Sequence, residues 1–283
     1  MAATPPKKIA FQGVNAAHTD LACRKAYPAL ETLPCHTFDE VFDAVESARA
    51  DMGMIPIENS QAGRVAEIHN LWPGKHVFIV AEHFQAIAHH LFAPTGAVLS
   101  GIKDVYSHPQ ALMQCRRSLK NMAVNIHSYM DTALAARDVA RWNDPAKAAL
   151  ASELAGEIYG LENIQSNMED SRDNTTVFMT IARQPANPDP EKQPVITSLL
   201  FSVRNIPAAL YKALGGFATN AVNLIKLESY IPVGVSSQTA KFFITFEGHT
   251  RDRNVQLALE ELDFYCDNVT TLGEYYAAPE RFR

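Results

Sequence analysis

The chain has 283 residues, of which 47% are hydrophobic and 20% charged, with a formal net charge of −6. That balance belongs to a globular protein with room for two domains and a sizeable core. The acidic excess, with no Lys/Arg cluster beyond Lys7-Lys8, argues against a nucleic-acid partner. No apolar run approaches the roughly 18 residues a membrane span needs.

The first eight residues are polar and Pro-containing and lack the apolar core of a secretion signal. Cys23, Cys35, Cys115 and Cys266 are scattered and form no C-x-x-C pair. A cytoplasmic, reducing location is therefore expected. His89 and His90 lie in an apolar stretch; neighbours on a strand point to opposite faces, so they do not readily share one metal ion. No metal site is expected.

In chain order, residues 8–13 predict a strand and 20–27 a helix. A helix follows over 38–50, with Thr37 or Asp39 as its N-cap. Residues 51–57 form a short apolar run bounded by Gly53 and Pro56, a buried strand. Residues 76–93 hold two strands, and 109–119, 132–141 and 148–158 carry helical periodicity, the last with Gly160 as C-cap. Residues 177–182 form a strand. The alternation predicts an α/β architecture with a mostly parallel sheet.

Residues 183–194 carry four prolines in a polar dozen and mark a domain boundary. Beyond it come strand 196–203, helix 208–218, strands 222–227 and 240–247, helix 254–262 and strand 269–275. This βαββαβ order is ferredoxin-like. Its antiparallel sheet leaves edges and one face in need of cover, which a second copy of the chain would supply.

Three polar strings follow predicted strands. Glu58-Asn59-Ser60 with Gly63 offers a carboxylate, an amide and a hydroxyl, and suits either a polar ligand or an ordinary capping loop. Ser107-His108-Pro109-Gln110 reads as a strand-to-helix turn with Ser107 as N-cap, free N–H groups behind it and Gln114 farther along the same face. His108 is either an acid–base group or a plain loop residue. Asp131 caps the helix that starts at Thr132. A fourth string, Asp173-Asn174-Thr175-Thr176-Val177-Phe178, enters an apolar strand with two hydroxyls and an amide. Together the four fit a cleft between two α/β lobes, able to position charge and donate one proton.

Glu58-Asn59-Ser60-x-x-Gly63-Arg64-Val65, Ser107-His108-Pro109-Gln110-Ala111-Leu112-x-Gln114-Cys115, Asp131-Thr132-Ala133 and Asn174-x-Thr176-x-Phe178 stand in an order and spacing that resemble prephenate dehydratases. Ala208-Ala209-Leu210-Tyr211-Lys212-Ala213-Leu214 and Asn223-Leu224-Ile225-Lys226-Leu227-Glu228-Ser229-Tyr230 resemble their ACT regulatory domain. The resemblance implies a two-lobed catalytic domain over 1–184, like a type II periplasmic binding protein, then a linker over 185–194 and an ACT domain over 195–283. It implies cofactor-free conversion of prephenate to phenylpyruvate, with Thr176 as proton donor. Glu58, Asn59, Ser60, Ser107, Gln114, Asp131, Asn174, Thr175 and Phe178 map to substrate binding or orientation. L-phenylalanine as effector maps to Ala209, Leu210, Asn223, Leu224, Glu228 and Ser229. A homodimer or homotetramer is implied, since the family binds the effector at a subunit interface.

Three positions depart from the family pattern. Val177 stands where the family has the arginine of Thr-Arg-Phe. Ala16-Ala17-His18-Thr19 replaces Gly-Ala-Tyr-Ser, and Ala208 stands where a glycine often precedes Ala-Leu. Loss of an arginine hydrogen bond to a substrate carboxylate costs on the order of 1.5–3 kcal/mol. If the strand is extended, however, Val177 faces away from Thr176 and joins Met179 and Ile181. Arg64, Arg172 and His18 are candidate compensating cations. The departures leave open two alternatives to prephenate dehydration: arogenate as substrate, or an amino-acid sensor that has lost its catalysis.

Overall fold

The computed structural model describes residues 7–171, 173–231 and 240–282. The chain begins β1 (Lys8–Gln12), α1 (His18–Ala26), β2 (Glu31–Cys35), α2 (Phe38–Glu46), β3 (Met52–Asn59) and β4 (Gly63–Arg64). A 3-10 turn at Ala66–Asn70 precedes β5 (Phe78–Ala86), β6 (His90–Ala93) and β7 (Asp104–Ser107). Next come α3 (Pro109–Gln114), α4 (Arg116–Met122), β8 (Asn125–Ser128), α5 (Thr132–Trp142), β9 (Lys147–Ala151), α6 (Glu153–Tyr159), β10 (Glu162–Gln165) and β11 (Thr175–Ala182). The last third holds β12 (Val195–Val203), α7 (Ala209–Thr219), β13 (Leu224–Tyr230), β14 (Lys241–Glu247), α8 (Arg253–Tyr265) and β15 (Cys266–Tyr276). Among the described residues no helix is long and apolar enough to cross a membrane.

Three sheets form, in the orders β2-β1-β3-β11-β5 with β4 on β3, β10-β6-β9-β7-β8, and β13-β14-β12-β15. The residues cluster into two compact units. One gathers Met1–Val41, Glu58–Gly63 and Gln85–Val177; the other gathers Phe42–Ile57, Arg64–Phe84 and Phe178–Arg283.

The first unit holds the five-stranded sheet, which is mixed rather than mostly parallel. β7 runs parallel to β8 and β9, whereas β6 is antiparallel to β9 and β10. Residues 148–151 are a central strand and not the start of a helix. The Ala-Ala-Leu-Ala run mimics helical composition, but it is buried on both faces between β6 and β7 and so shows no alternation. The helix starts at Glu153, after its N-cap Ser152, whose Oγ accepts from Ala155 N, and it ends at Gly160 in the left-handed region. The 109–119 helix likewise breaks at Cys115, where φ −109° and ψ 18° separate α3 from α4. The core behind the sheet takes Ala133, Ala136 and Val139 from one stripe of α5 with Leu154 and Ala155 from α6.

The second unit contains the expected βαββαβ succession, β12-α7-β13-β14-α8-β15, with antiparallel pairing throughout its sheet. Leu199, Phe201, Phe242, Ile244 and Phe246 alternate onto one face and meet Ala213 and Phe217 of α7 and Val255, Ala258 and Leu262 of α8. The other face is covered within the unit, not left for a second copy. His69 lies 5.0 Å from the Phe243 ring, and Gly273 abuts the backbone of Ile79. Arg183, in the proline-rich segment, donates to Val45 O at 2.5 Å and Ala50 O at 2.8 Å. In the first unit, Thr37 rather than Asp39 caps α2: its Oγ1 accepts from Glu40 N at 3.2 Å.

Candidate active site

The first unit joins the end of β3 to the start of β11. Asn59 is the hub. Its Oδ1 accepts from Gln61 N at 3.0 Å and Ala62 N at 2.8 Å, which fixes the orientation of the amide. Its Nδ2 must then face the other way, where it donates to Asn174 Oδ1 at 2.7 Å and Thr176 Oγ1 at 2.9 Å. Thr176 thus accepts from Asn59, which leaves its own O–H hydrogen to be donated elsewhere. Ser60 ties the same two segments: Oγ donates to Asp173 O at 2.7 Å and accepts from Thr175 N at 3.0 Å, and Ser60 N donates to Thr175 O at 2.9 Å. Both functions of that hydroxyl serve the backbone.

Burial separates the roles further. Asn174 is 1% and Thr176 8% exposed, while Glu58 and Thr175 are partly exposed. Alternation along β11 turns Val177 away from Thr176, onto the face of Met179 and Ile181. Phe178 is a buried ring.

Gln114 closes α3 and meets His89 rather than the Asn59 cluster, with Oε1 2.9 Å from His89 Nε2. The His89 ring in turn lies edge-on to His18, with centroids 5.1 Å apart. His18 is the first residue of α1 and follows a turn in which Ala16 has φ 74°, held by Asp20 Oδ2 accepting from Ala16 N at 2.8 Å. Burial first, then His89, His90 and Lys25, pushes the His18 imidazole down to about 3. Burial likewise lowers His89, although the Gln114 hydrogen bond opposes it.

Two expected roles change. Ser107 does not cap α3. It ends β7, fully buried, and its Oγ donates to Leu150 O at 2.7 Å. The cap is His108, whose Nδ1 accepts from Gln110 N at 3.2 Å. The chain remains extended through His108, with Pro109 as the first helical residue, so the cap falls one position later. Asp131 caps α5 as expected, with Oδ1 accepting from Ala133 N at 2.7 Å and Leu134 N at 3.1 Å.

The compensating cations also sort themselves. His18 is neutral at ordinary pH and supplies no charge. Arg64 Nη1 donates to Ser229 O at 3.0 Å. Arg172 lies outside the described residues. Among the described residues no cluster of three or more His, Cys, Asp or Glu could hold a metal ion.

The candidate effector residues lie in the second unit. Ala208, the residue before α7, has φ 62°, and Ala209 is buried behind it. Asn223 precedes β13, and its carbonyl accepts from Glu247 N at 3.0 Å. Leu210 and Leu224 are partly buried against the core of α7, α8 and the sheet. Glu228 lies 2.8 Å from Lys226 Nζ and 2.5 Å from His69 Nε2, the latter contact lacking the alignment of a hydrogen bond. Burial raises the Glu228 carboxyl, but His69 and Lys226 outweigh it and hold the group at about 2. The histidine partner His69 had no sequence signal, because it lies in a short turn with no motif around it. His89 had one only as half of a His-His pair.

Residues 9–186 match the family model for prephenate dehydratase. A protein of Komagataeibacter europaeus described as a bifunctional N-acyl-homoserine lactone acylase/prephenate dehydratase is 44% identical over 273 residues, covering 96% of this chain and 97% of the relative. The arogenate dehydratase/prephenate dehydratase 2 of Arabidopsis thaliana is 36% identical over 277 residues, covering 95% of this chain and 72% of the plant protein. Among solved structures, a prephenate dehydratase from Arthrobacter aurescens in complex with L-Phe matches with a TM-score of 0.86 at 27% identity, over 96% of this chain and 90% of that one. With its motifs in order and this match across most of its length, the chain belongs to the prephenate dehydratase family.

Proposed function

We propose that the protein converts prephenate to phenylpyruvate, CO2 and water without a cofactor. The observation that carries this reading is the Asn59 bridge, in which Nδ2 donates to Thr176 Oγ1 and leaves the threonine hydrogen free. In the reaction the ring carboxylate leaves as CO2 and its bonding pair enters the ring. The ring expels the 4-hydroxyl, which takes up a proton and departs as water. Thr176 donates a hydrogen bond to that oxygen as the C–O bond breaks. A threonine is a weak acid, so placement supplies its effect. Glu58, Asn59, Ser60, Asn174, Thr175 and Phe178 form and frame this corner, and Ser107 at the end of β7, Gln114 at the end of α3 and Asp131 at the start of α5 bind or orient the substrate.

In the same reading, residues 1–184 are the two-lobed catalytic domain, 185–194 the linker and 195–283 an ACT domain that binds L-phenylalanine as feedback effector. The L-Phe complex of the Arthrobacter relative supports the effector. The four free, buried cysteines support a reducing cytoplasm. β13 and β15, the outer strands of their sheet, pair with no further strand among the described residues, which supports pairing into a homodimer or homotetramer.

Two further substrates have support from relatives. The plant protein's name includes arogenate, and the Komagataeibacter relative, similar over nearly both full lengths, is named for N-acyl-homoserine lactone hydrolysis as well. Purified protein is incubated in parallel with prephenate, arogenate and an N-acyl-homoserine lactone, and phenylpyruvate, phenylalanine and free homoserine lactone are followed. Phenylpyruvate from prephenate, abolished or strongly reduced by Thr176→Ala, is expected. No product from prephenate or arogenate sinks the dehydratase reading and leaves the sensor or the acylase. Phenylalanine that alters neither rate nor melting temperature removes the feedback reading.

A further inference from the structure

His89 is 3% exposed, and Gln114 turns its amide oxygen toward His89 Nε2 at 2.9 Å. An amide oxygen only accepts, so Nε2 carries the ring proton. In a neutral imidazole the other nitrogen, Nδ1, is then a bare acceptor. That atom is buried and has no hydrogen-bond partner among the described residues. Both ring nitrogens of the adjoining His18 are in the same condition, as is the amide nitrogen of Asn174. Buried polar atoms are nearly always partnered, so an unpartnered group at a binding site points to what the ligand brings.

The place is the proposed site. Ile87 N donates to Asn174 O at 2.8 Å. His89 lies two residues beyond Ile87, a reach of about 7 Å for an extended chain. The His89 backbone is thereby tied within about 7 Å to the strand contact of Asn174, which is itself bonded to Asn59, and the His89 ring meets His18 and Gln114.

We propose that His18 and His89 are substrate-reading residues, with His89 Nδ1 accepting from a hydrogen-bond donor on the substrate, so that this corner takes a hydroxyl or an ammonium group and not a carboxylate. The inference rests on the dehydratase reading. The donor has two sources: the 4-hydroxyl, common to prephenate and arogenate, or the ammonium group that arogenate alone carries.

The test measures kcat/KM of the full-length wild type, His89→Phe and His89→Asn on both substrates. Phenylalanine removes the acceptor, whereas asparagine keeps an oxygen near the Nδ1 position. His89→Phe is expected to lose about three- to tenfold and His89→Asn to stay within about threefold of wild type, the scale of one neutral hydrogen bond. Equal losses on both substrates identify the hydroxyl as donor, and a loss confined to arogenate identifies the ammonium. Turnover unchanged in His89→Phe removes the assignment and leaves the dehydratase reading intact. Turnover of neither substrate by wild type removes both. A second measurement does not depend on the folding of a His89 variant. Histidine 15N spectra of the Thr176→Ala chain, alone and with excess prephenate, should show the Nε2–H tautomer of His89 and a shift of its Nδ1 resonance on addition. An Nδ1–H tautomer, or an Nδ1 resonance that does not move, overturns the proposal.

Discussion

The polarity of the Asn59–Thr176 contact can be reversed with almost no change of shape, by Asn59→Asp. One carboxylate oxygen keeps the place of Oδ1 and still accepts from Gln61 N and Ala62 N. The other replaces Nδ2 and faces Asn174 Oδ1 and Thr176 Oγ1. Asn174 answers by turning its amide over, because its nitrogen has no other partner among the described residues. Thr176 has no such freedom. It must now donate its hydrogen to the carboxylate, and that hydrogen is withdrawn from the leaving hydroxyl. Positioned general acids contribute about 10²–10⁴ in rate, so kcat at saturating prephenate should fall by about a hundredfold or more. Stability should change by less than about 2 kcal/mol, since each lost hydrogen bond is replaced by another. Asn59→Ala differs in kind: it strands the buried Asn174 and costs about 1–3 kcal/mol of stability. Phenylpyruvate formation and thermal melting on both variants separate the two effects. An Asn59→Asp enzyme with wild-type kcat would refute the assignment of Thr176 as donor.

Three further outcomes follow from the second unit. Ala208→Gly should stabilise by about 0.5–1 kcal/mol, because relief of the left-handed strain at φ 62° exceeds the added entropy of an unfolded glycine; a lower melting temperature refutes it. Arg281→Ala should destabilise by about 3–5 kcal/mol, because it leaves the Glu82 carboxylate, 0% exposed, without its guanidinium; a urea midpoint equal to wild type refutes it. Glu228 is held near 2 in the folded chain against an ordinary 4.5, so its contribution is complete above 4.5 and is lost as pH falls toward 2. Glu228→Gln should therefore flatten that part of the stability–pH curve, and an unchanged slope in urea melts across it refutes the pairing.

Elements with periodicity and caps were legible in the chain alone. Asp131 announced α5, Gly160 the end of α6, and the βαββαβ succession stood out because each of its segments is long enough to show its period. The short, fully buried strand β9 was not legible, since Ala148-Ala149-Leu150-Ala151 satisfies a helix and a two-sided strand equally and only its neighbours β6 and β7 decide. Caps misplaced by one residue, as at Ser107, have a related cause: Ser107 and His108 both offer an acceptor, and the site of the first helical turn selects between them.

The two alanine substitutions at Ala16 and Ala208 show what a departure from a family pattern means physically. By the resemblance, Ala16 stands in place of a glycine and Ala208 where a glycine often precedes Ala-Leu, and each adopts positive φ, 74° and 62°, a path that strains an alanine. At Ala16 that path starts α1 and sets His18 against His89. The side chain that this path delivers is a neutral imidazole. Val177 fits the same logic. It occupies the face of β11 opposite Thr176, so the donor geometry set by Asn59, 117 residues away in sequence, does not depend on it. The hydrogen-bond frame around Thr176 is therefore complete with valine at 177.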